Sequence, residues 1–347
     1  MIKISAVICE LNPFHKGHAH VLSAAKENSD TVIAVMSGNF VQRGECAVYD
    51  KYKRARAAIE GGADLCVELP FPFSSSSAEY FSEAGVRIAE SLFATDLWFG
   101  SECADLNAIL RAAEILNGAE SKKTGRAAEN RAETIKSGFS SVPESILSSP
   151  NDILAVEYCR RATVSLHPVK RIPGASAGAI REKLYLSDSR AVKPERLTEL
   201  EFHHFRTLKA PPQTAECTGG VGGRLCNASV ITNDFRKWLE LSATKRYTNS
   251  RLKRAALFAL CSVLTEDIKE GVQFTRVLSA NEKGRRYLSS IRKCCDFPIV
   301  TNPSDRFSLS GTALSQYNAA DFADKLYSLC AGLDDPAAFS KIHPQML

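Results

Sequence analysis

The chain contains no apolar run long enough to cross a membrane. Its longest strongly apolar stretch, residues 255–265, falls well short of the roughly 20 residues that a spanning helix needs. The amino terminus, MIKISAVICELNPF, lacks the apolar core and the small-residue cleavage site of a secretory signal. These absences predict a cytoplasmic protein that is not attached to a membrane.

The sequence also lacks the cysteine arrangements that mark metal sites and disulfide frameworks. Its 11 cysteines include no CxxC pair and no Cys/His group with zinc spacing. In a reducing compartment such cysteines are mostly small, buried apolar side chains. We therefore expect neither a disulfide nor a structural zinc, and we predict no site for a resident metal.

The composition has no extreme that would indicate disorder or a fibrous repeat, because 44% of the 347 residues are hydrophobic and 24% are charged. This length predicts two domains. Residues 1–190 hold 22 Lys and Arg against 23 Asp and Glu, whereas residues 191–347 hold 22 against 16. The basic second half predicts a polyanionic partner, although solvated helix faces would give the same balance.

Strand-like and helix-like segments alternate in the first half. Strands are predicted at residues 2–9, 31–36, 64–69, 96–99 and 163–166, and helices at 18–26, 50–60, 78–91, 106–137 (broken near 118) and 150–162. Single helices between strands indicate an α/β, Rossmann-like parallel sheet with its ligand beyond the carboxyl ends of the strands. No alternation is predicted after residue 195, where helices are expected at 235–243, 249–263, 281–293 and 319–330. Residues 215–223, rich in glycine, are predicted to form a loop.

The strongest motif is NPFHKGH, residues 12–18, between the first strand and the first helix. A helix amino terminus presents unpaired N–H groups and a partial positive charge, so it binds phosphate. His15 and His18 lie on one helix face and can both donate to a phosphate that gains charge in a transition state. Gly17 leaves room for a ligand close to the backbone. A polar loop that merely closes a strand would contain similar residues, but the flanking elements favour a nucleotide site.

A second motif, ASAGAIR at residues 175–181, has small residues that open a helix carrying Arg181. Such a turn can bind an anion, although on its own it is equally typical of a flexible loop. Together with HxGH it is similar to the (I)SSTxIR element of the HIGH-type nucleotidylyltransferase superfamily. That superfamily acts at the α-phosphate of a nucleotide.

Longer blocks resemble the bacterial tRNA(Met) cytidine acetate ligase family. They are ELNPFHKGHAHVL, MSGNFVQRGE, the segment at 50–81, FGSE, SPNDILAVEY, KRIPGASAGAIR, TKRYTNSRLKR, TRVLSANEKGRRYL and DFADKLYSL. The resemblance implies that ATP and acetate give acetyl-adenylate and pyrophosphate. The N4 amine of the wobble cytidine of elongator tRNA(Met) would then take the acetyl group and release AMP. It also implies a sheet of the nucleotidylyltransferase type in an ATP-binding catalytic domain at 1–190, and a mostly α-helical, basic, tRNA-binding domain at 191–347.

The resemblance assigns ATP contacts to the first motif and to four later positions. The implied ATP-binding residues are Ile8, Cys9, Glu10, Leu11, Asn12, Pro13, Phe14, His15, Lys16, Gly17, His18, Ala19, His20, Val21, Gly100, Asn151, Arg171 and Ile172. We expect His15 and His18 to be catalytic, Lys16 to be a mobile cation, and His20 to serve packing or to support the residues that contact ATP. Mg²⁺ is expected only because it usually accompanies ATP.

Other assignments rest on weaker patterns. Ser176 and Arg181 are expected at the phosphates. Asn39 and Arg43 are expected at a small carboxylate pocket, although a plain surface-loop position explains them equally well. A cytidine must leave its stack before its amine can react, so the RNA surface needs basic and aromatic residues. The expected RNA contacts are Lys245, Arg246, Tyr247, Arg251, Arg254, Arg276, Arg285 and Arg286.

The chain departs from the family pattern at one place. Only residues 172–174 separate the KR pair from the ASAGAIR block, where the family usually has a longer insert, and Gly178 replaces the family's Thr. A slower enzyme, or one that depends on other loops, is expected. Two other functions stay open: a nucleotidylyltransferase acting on a small phosphorylated metabolite, and a non-catalytic RNA-binding relative. No membrane or protein partner is predicted.

Overall fold

The computed structural model describes residues 2–120, 145–172, 174, 177–244 and 246–347. The strands are β1 Ile4–Cys9, β2 Thr31–Ser37, β3 Phe40–Val41, β4 Glu45–Cys46, β5 Leu65–Leu69, β6 Asp96–Ser101, β7 Ser165–Lys170, β8 Thr275–Ala280, β9 Ile299–Val300 and β10 Gln345–Met346. The helices are α1 Lys16–Glu27, α2 Lys51–Glu60, α3 Ala78–Ser91, α4 Leu106–Glu120, α5 Ser145–Ser148, α6 Pro150–Arg161, α7 Ala177–Ser187, α8 Pro194–Thr207, α9 Val221–Ile231, α10 Phe235–Ser242, α11 Asn249–Leu260, α12 Thr265–Lys269, α13 Glu282–Ile291 and α14 Gly311–Cys330.

An eight-stranded sheet forms the centre of the molecule, in the order β10-β8-β5-β2-β1-β6-β7, with β9 also paired to β8. The five strands from β5 to β7 are parallel, as the alternation in the first half predicts. Their carboxyl ends therefore meet at one edge of the sheet. The loops that carry the first motif, the 38–50 segment and the residues after β6 and β7 all start at that edge.

Helices cover both faces of this sheet. Right-handed crossovers place α1 and α2 on one face and α3 and α6 on the other, because the chain reverses direction across the sheet after β5. Local signals set the helix ends: Asp50 caps α2 by accepting hydrogen bonds from the backbone N–H groups of Tyr52 and Lys53, both at 2.9 Å. The strands between the helices are apolar and almost completely buried.

The second half contains more strand than its sequence predicts. Strand β8 is fully buried and pairs antiparallel with β5, and α13 lies between β8 and β9, so the expectation of no strand–helix alternation after residue 195 was wrong. Helices α8–α11 pack around a separate apolar core that includes Phe202, Phe205 and Trp238. The separate core of α8–α11 favours a domain boundary near residue 190, whereas the return of β8–β10 to the central sheet does not. The division at residue 190 therefore stays a prediction.

Two local predictions also need correction. Helix α4 continues through Gly118 to Glu120, whereas a break near residue 118 was expected; residues 121–137 lie outside the described part of the chain. The glycine-rich segment 215–223 ends as helix, because Gly219 and Gly220 adopt φ values of 66° and 91° and lead into α9 at Val221.

Among the described residues, no helix is both long enough and apolar enough to span a membrane.

Candidate active site

The segment at 10–18, called here the HxGH loop, joins β1 to α1 and holds two imidazoles in a fixed protonation pattern. His15 is the N-cap of α1, and its Nδ1 accepts a hydrogen bond from the backbone N–H of Gly17 at 3.0 Å. The Nδ1 of His18 accepts from the backbone N–H of His15 at 3.3 Å. A nitrogen that accepts a hydrogen bond carries no proton, so both rings carry theirs on Nε2. Each ring therefore keeps one N–H that can donate to a ligand.

The two rings stack, with centroids 3.8 Å apart and planes inclined by 18°. Burial, together with the nearby charge of Arg171, lowers the pKa of His15. Burial, His15 and Arg171 lower the pKa of His18 to about 3. Both imidazoles are consequently neutral donors at neutral pH. Positive charge for an anionic ligand has to come from Lys16, from arginines and from the amino terminus of α1.

The two glycines near the rings have different structural reasons. A Cβ on Gly17 would lie 2.9 Å from Cε1 of His15, so the glycine makes room for that ring as well as for any ligand. A Cβ on Gly100 would meet only Val21 at 3.8 Å and Arg171 at 4.0 Å, which are ordinary contacts. Packing inside the protein therefore does not require a glycine at residue 100, and the space beside it is open to a ligand.

The HxGH loop is tied to its surroundings by hydrogen bonds of Asn12 and Glu10. The Oδ1 of Asn12 accepts from the backbone N–H of Val48 at 2.8 Å, and the carbonyl of Asn12 accepts from Nη1 of Arg181 at 2.7 Å. The Oε1 of Glu10 accepts from the backbone N–H of Gln42 at 2.8 Å, and burial raises the pKa of Glu10. Asn12 and Glu10 thus position the loop.

Other expected ATP-binding residues in and beside the HxGH loop differ in their exposure to solvent. Ile8, Leu11 and Val21 are buried and support the loop from the core. Lys16 is exposed, as a mobile cation should be. His20 is exposed as well, which does not fit packing; a position that supports the ATP contacts stays a prediction for it.

The carboxylate of Glu102 connects two of the expected ATP-binding residues. Its Oε1 accepts from Nδ2 of Asn151 at 2.8 Å and from Nη1 of Arg171 at 2.9 Å. Its Oε2 accepts from the backbone N–H of Asp152 at 3.1 Å. Asp152 in turn accepts from the backbone N–H groups of Glu102 and Cys103. Glu102 therefore orients Asn151 and Arg171, and the sequence signal for it was an acid directly following β6.

A second residue that the sequence did not single out lies beneath the HxGH loop. Arg54, on α2, is 2% exposed, and its Nη1 donates to the carbonyls of Glu10 at 2.6 Å and Ser37 at 3.1 Å. It thereby holds the ends of β1 and β2 together. The charge pattern of α2 reads as a solvated face, so no local signal distinguished this arginine.

Among the weaker site predictions, Arg181 is placed at the HxGH loop by its bond to Asn12. Ile172 follows Arg171 and is 41% exposed. Arg43 is exposed on the β3–β4 hairpin, close enough for its charge to lower the pKa of Glu10 against the effect of burial. Ser176 lies outside the described residues.

Asn39 and Arg276 lie in a buried ionic cluster instead of at a pocket or an RNA surface. Asn39 is 3% exposed; its Nδ2 donates to Asp324 at 2.9 Å and its Oδ1 accepts from the N–H of Lys51 at 2.8 Å. Arg276 is 6% exposed and donates to Asp324 at 3.1 Å. Lys51 also contacts Glu68 at 2.8 Å and Asp324 at 2.6 Å. Burial and pairing correct both assignments.

The expected RNA residues around α11 are mostly engaged within the protein. Tyr247 is 7% exposed and its hydroxyl donates to the carbonyl of Gly219, so its ring is not placed to stack on a base. Arg251 and Arg254 form ion pairs with Glu216 at 3.4 and 2.9 Å. Arg246 is exposed, with its guanidinium 5.6 Å from the Tyr247 ring centroid. Lys245 lies outside the described residues.

Arg285 and Arg286 are exposed but lie far from the HxGH loop in the fold. They belong to the first turn of α13, which follows Asn281. Asn281 bonds through its backbone N–H and its Nδ2 to Asp64 just before β5, both at 3.0 Å. Because β5 and β1 are parallel, this is the amino-terminal edge of the sheet, opposite the HxGH loop.

Comparison with known proteins agrees with this geometry. A family model described as HIGH Nucleotidyl Transferase matches residues 2–210 and 171–337. The tRNA(Met) cytidine acetate ligase of Thermoanaerobacter sp. (strain X514) is 32% identical over 401 residues, with 98% of each chain covered. That of Anoxybacillus flavithermus is 32% identical over 358 residues, with 87% of this chain and 89% of the relative covered. The 401 residues of the first match exceed the 347 of this chain, so that relative has residues absent here.

Solved structures of a relative superpose over the entire chain. The crystal structure of Thermotoga maritima TmcAL bound with alpha-thio ATP has a TM-score of 0.86 at 29% identity, with 100% of both chains covered. The apo form of the same protein has a TM-score of 0.84 at 27% identity. With the HxGH loop at the carboxyl edge of a parallel sheet and matches along nearly its full length, this chain belongs to the HIGH nucleotidyl transferases and, within them, to the tRNA(Met) cytidine acetate ligase family.

Proposed function

We propose that this chain activates acetate with ATP and transfers the acetyl group to N4 of the wobble cytidine of elongator tRNA(Met), giving N4-acetylcytidine in the cytoplasm. The observation that carries the proposal is the pair of Nε2–H donors on His15 and His18 at the start of α1. It occurs in a chain that matches ligases of that name over nearly its entire length. ATP would be the first substrate, as the ATP analogue bound by the Thermotoga relative suggests.

In the first step an acetate oxygen attacks the α-phosphorus and pyrophosphate leaves. Acetate is already an anion at neutral pH, so the step needs no general base, which suits imidazoles whose pKa values are lowered. The protein has to orient the reactants and stabilise the charge on the phosphoryl oxygens. His15 and His18 would donate their Nε2–H groups to those oxygens, while Lys16 and Arg171 would supply positive charge.

In the second step the N4 nitrogen of cytidine attacks the acetyl carbonyl. The new C–N bond forms, the anhydride C–O bond breaks, AMP leaves with the electron pair, and the nitrogen loses one proton. The mixed anhydride would stay beside the HxGH loop, so the RNA has to bring its base to the carboxyl edge of the sheet. Arg246 and Arg251 stay proposed contacts for the rest of the RNA.

Mg²⁺ is proposed only as a companion of the triphosphate. The described residues contain no group of three or more His, Cys, Asp or Glu side chains that could hold a metal ion. Because Mg²⁺ is usually held by one or two carboxylates together with substrate phosphates, we propose that it would enter with ATP.

The test is release of pyrophosphate from ATP with and without acetate, followed by transfer of labelled acetate to tRNA. We expect acetate-dependent release and label at a cytidine of elongator tRNA(Met). Release that depends on a phosphorylated metabolite instead would assign the chain to ordinary nucleotidylyltransferases. Absence of turnover, with RNA binding retained, would make it a non-catalytic relative.

A further inference from the structure

Helix α7 has no fully buried residue although it belongs to a βα unit: five of its 11 residues are exposed and the other six are half-buried. Leu186 is 91% exposed. A helix of this kind normally buries one stripe against the sheet. It is nevertheless fixed to the catalytic centre, because Arg181 donates to the carbonyl of Asn12 at 2.7 Å. Its outer surface therefore lies beside the HxGH loop and faces solvent.

A tyrosine ring and two cationic side chains form a cluster just after the end of α7. The hydroxyl of Tyr49 donates to Oδ2 of Asp188 at 2.7 Å. Arg190 donates from Nε and Nη2 to the two carboxylate oxygens of Asp188, both at 3.0 Å, while its side chain is 76% exposed. The Nζ of Lys53 lies 3.2 Å from the centroid of the Tyr49 ring. Asp188 thus holds a guanidinium in place with most of its surface open; we call Tyr49, Lys53 and Arg190 the platform.

The platform is connected to the HxGH loop through Val48, which bonds to the side chain of Asn12 and to the backbone of Val192. Val48, which precedes Tyr49, donates its N–H to Oδ1 of Asn12 at 2.8 Å. Val192, two residues after Arg190, donates its N–H to the carbonyl of Val48 at 2.9 Å. A ligand on the platform would therefore lie next to the loop that holds the two imidazoles.

The basic helix α11 offers no equivalent surface. Its Arg251 and Arg254 are paired with Glu216, and Lys253 is paired with Glu45 of the β3–β4 hairpin. Its neighbouring aromatic residue, Tyr247, is buried. Arg190 is also paired, but most of its side chain remains accessible, so its plane can still meet a base.

We infer that the platform, with the outer surface of α7, receives the unstacked target cytidine and the phosphates beside it. This inference rests on the proposed function and adds the surface where the base arrives. Unstacked bases are recognised by stacking on aromatic rings and on guanidinium planes. The Asp188–Arg190 pair is neutral overall, so the base is held by stacking and by the remaining guanidinium N–H groups. Lys53 and the exposed Lys183 would meet the flanking phosphates.

The test compares Arg190→Ala with Arg56→Ala. Arg56, on α2, is a matched control because it is 58% exposed and paired with Glu60 at 2.8 Å. The probe is a fluorescent anticodon stem-loop with cytidine at the wobble position, measured by anisotropy, and acetate-dependent pyrophosphate release is assayed without RNA. We expect Arg190→Ala to bind the stem-loop about tenfold more weakly, the size of one lost stacking contact, and Arg56→Ala to stay within about twofold. Pyrophosphate release without RNA should be the same in both variants, which also shows that they fold.

Three results would overturn the inference. Arg190→Ala could bind the stem-loop as tightly as the wild type. Arg56→Ala could lose the same affinity, so that only overall charge matters. Arg190→Ala could lose affinity for a polyglutamate peptide but not for RNA, which would assign the surface to an acidic protein. If the wild-type protein neither binds nor acetylates the stem-loop, the proposed function itself fails, and the two failures are thereby distinguished.

Discussion

The HxGH loop and helix α11 both present polar groups near the carboxyl edge of the sheet. The groups of the loop remain available to a ligand, whereas those of α11 are paired within the protein. In the loop, backbone N–H groups occupy the Nδ1 atoms of His15 and His18 and so leave both Nε2–H groups for a ligand. In α11, Arg251 and Arg254 share the carboxylate of Glu216. The loop keeps donors available to a ligand, whereas α11 satisfies its charges within the protein.

The difference shows that a count of charged residues is a poor guide to a binding surface. A basic stretch of sequence predicts a polyanion partner only if its cations reach solvent. Arg276 comes from the same basic half, yet it serves a buried cluster with Glu68 and Asp324. The imidazoles of the HxGH loop, by contrast, cap α1 with their Nδ1 atoms and keep their Nε2–H groups for a ligand.

The largest effect is expected in the buried ionic cluster around Asp324, where the charges are paired deep inside the protein. Asp324→Asn leaves Lys51 and Arg276 with Glu68 as the one acid of the cluster, and removing one partner of a buried ion pair typically costs about 3–5 kcal/mol. We expect the free energy of unfolding in urea to fall by that amount. Asp335→Asn, which removes an exposed acid paired with Lys341, is the control and should cost less than about 1 kcal/mol. Equal stability of the two variants would contradict the energetic importance of the cluster.

His18→Ala tests the HxGH loop, whose Nε2–H groups remain available to a ligand. Loss of one donor to a transition-state oxygen typically lowers a rate about 10²- to 10³-fold, and we expect this loss in acetate-dependent pyrophosphate release. Affinity for the anticodon stem-loop should not change, because His18 would contact the phosphates of ATP. His203→Ala, on the exposed side of α8, is the control and should release pyrophosphate at the wild-type rate. Comparable rates for the two variants would refute the phosphate site.

Elements set by neighbouring residues could be predicted from the sequence. The parallel strands are short, apolar runs, and α2 begins directly after its capping Asp50, so both follow from local patterns. The pair of imidazoles is equally local, since only two residues lie between them. Strand β8 was missed because its partner β5 lies more than 200 residues earlier, and a six-residue run inside a basic region does not reveal such pairing.

The parts of the site that escaped prediction depend on contacts between distant residues. Glu102 meets Asn151 across 49 residues and Arg171 across 69. The burial of Tyr247 depends on its bond to Gly219, 28 residues earlier. Residue types alone indicated which side chains can bind phosphate or RNA; which of them are already occupied is decided by the tertiary fold.

The smallest effect is expected from removing the acid that pairs with the arginines of α11. Glu216→Gln removes the carboxylate that neutralises Arg251 and Arg254 but keeps a side chain of similar size. If α11 contacts the RNA beyond the target base, the freed cations should tighten stem-loop binding about threefold and steepen its salt dependence by about one phosphate contact. The measurement is affinity across a series of KCl concentrations, with Glu240→Gln on α10 as a control that changes the same charge at an exposed position. An equal change in both variants would reflect net charge only. No change in Glu216→Gln would remove α11 from the RNA surface and leave the platform beside the HxGH loop to bind the RNA.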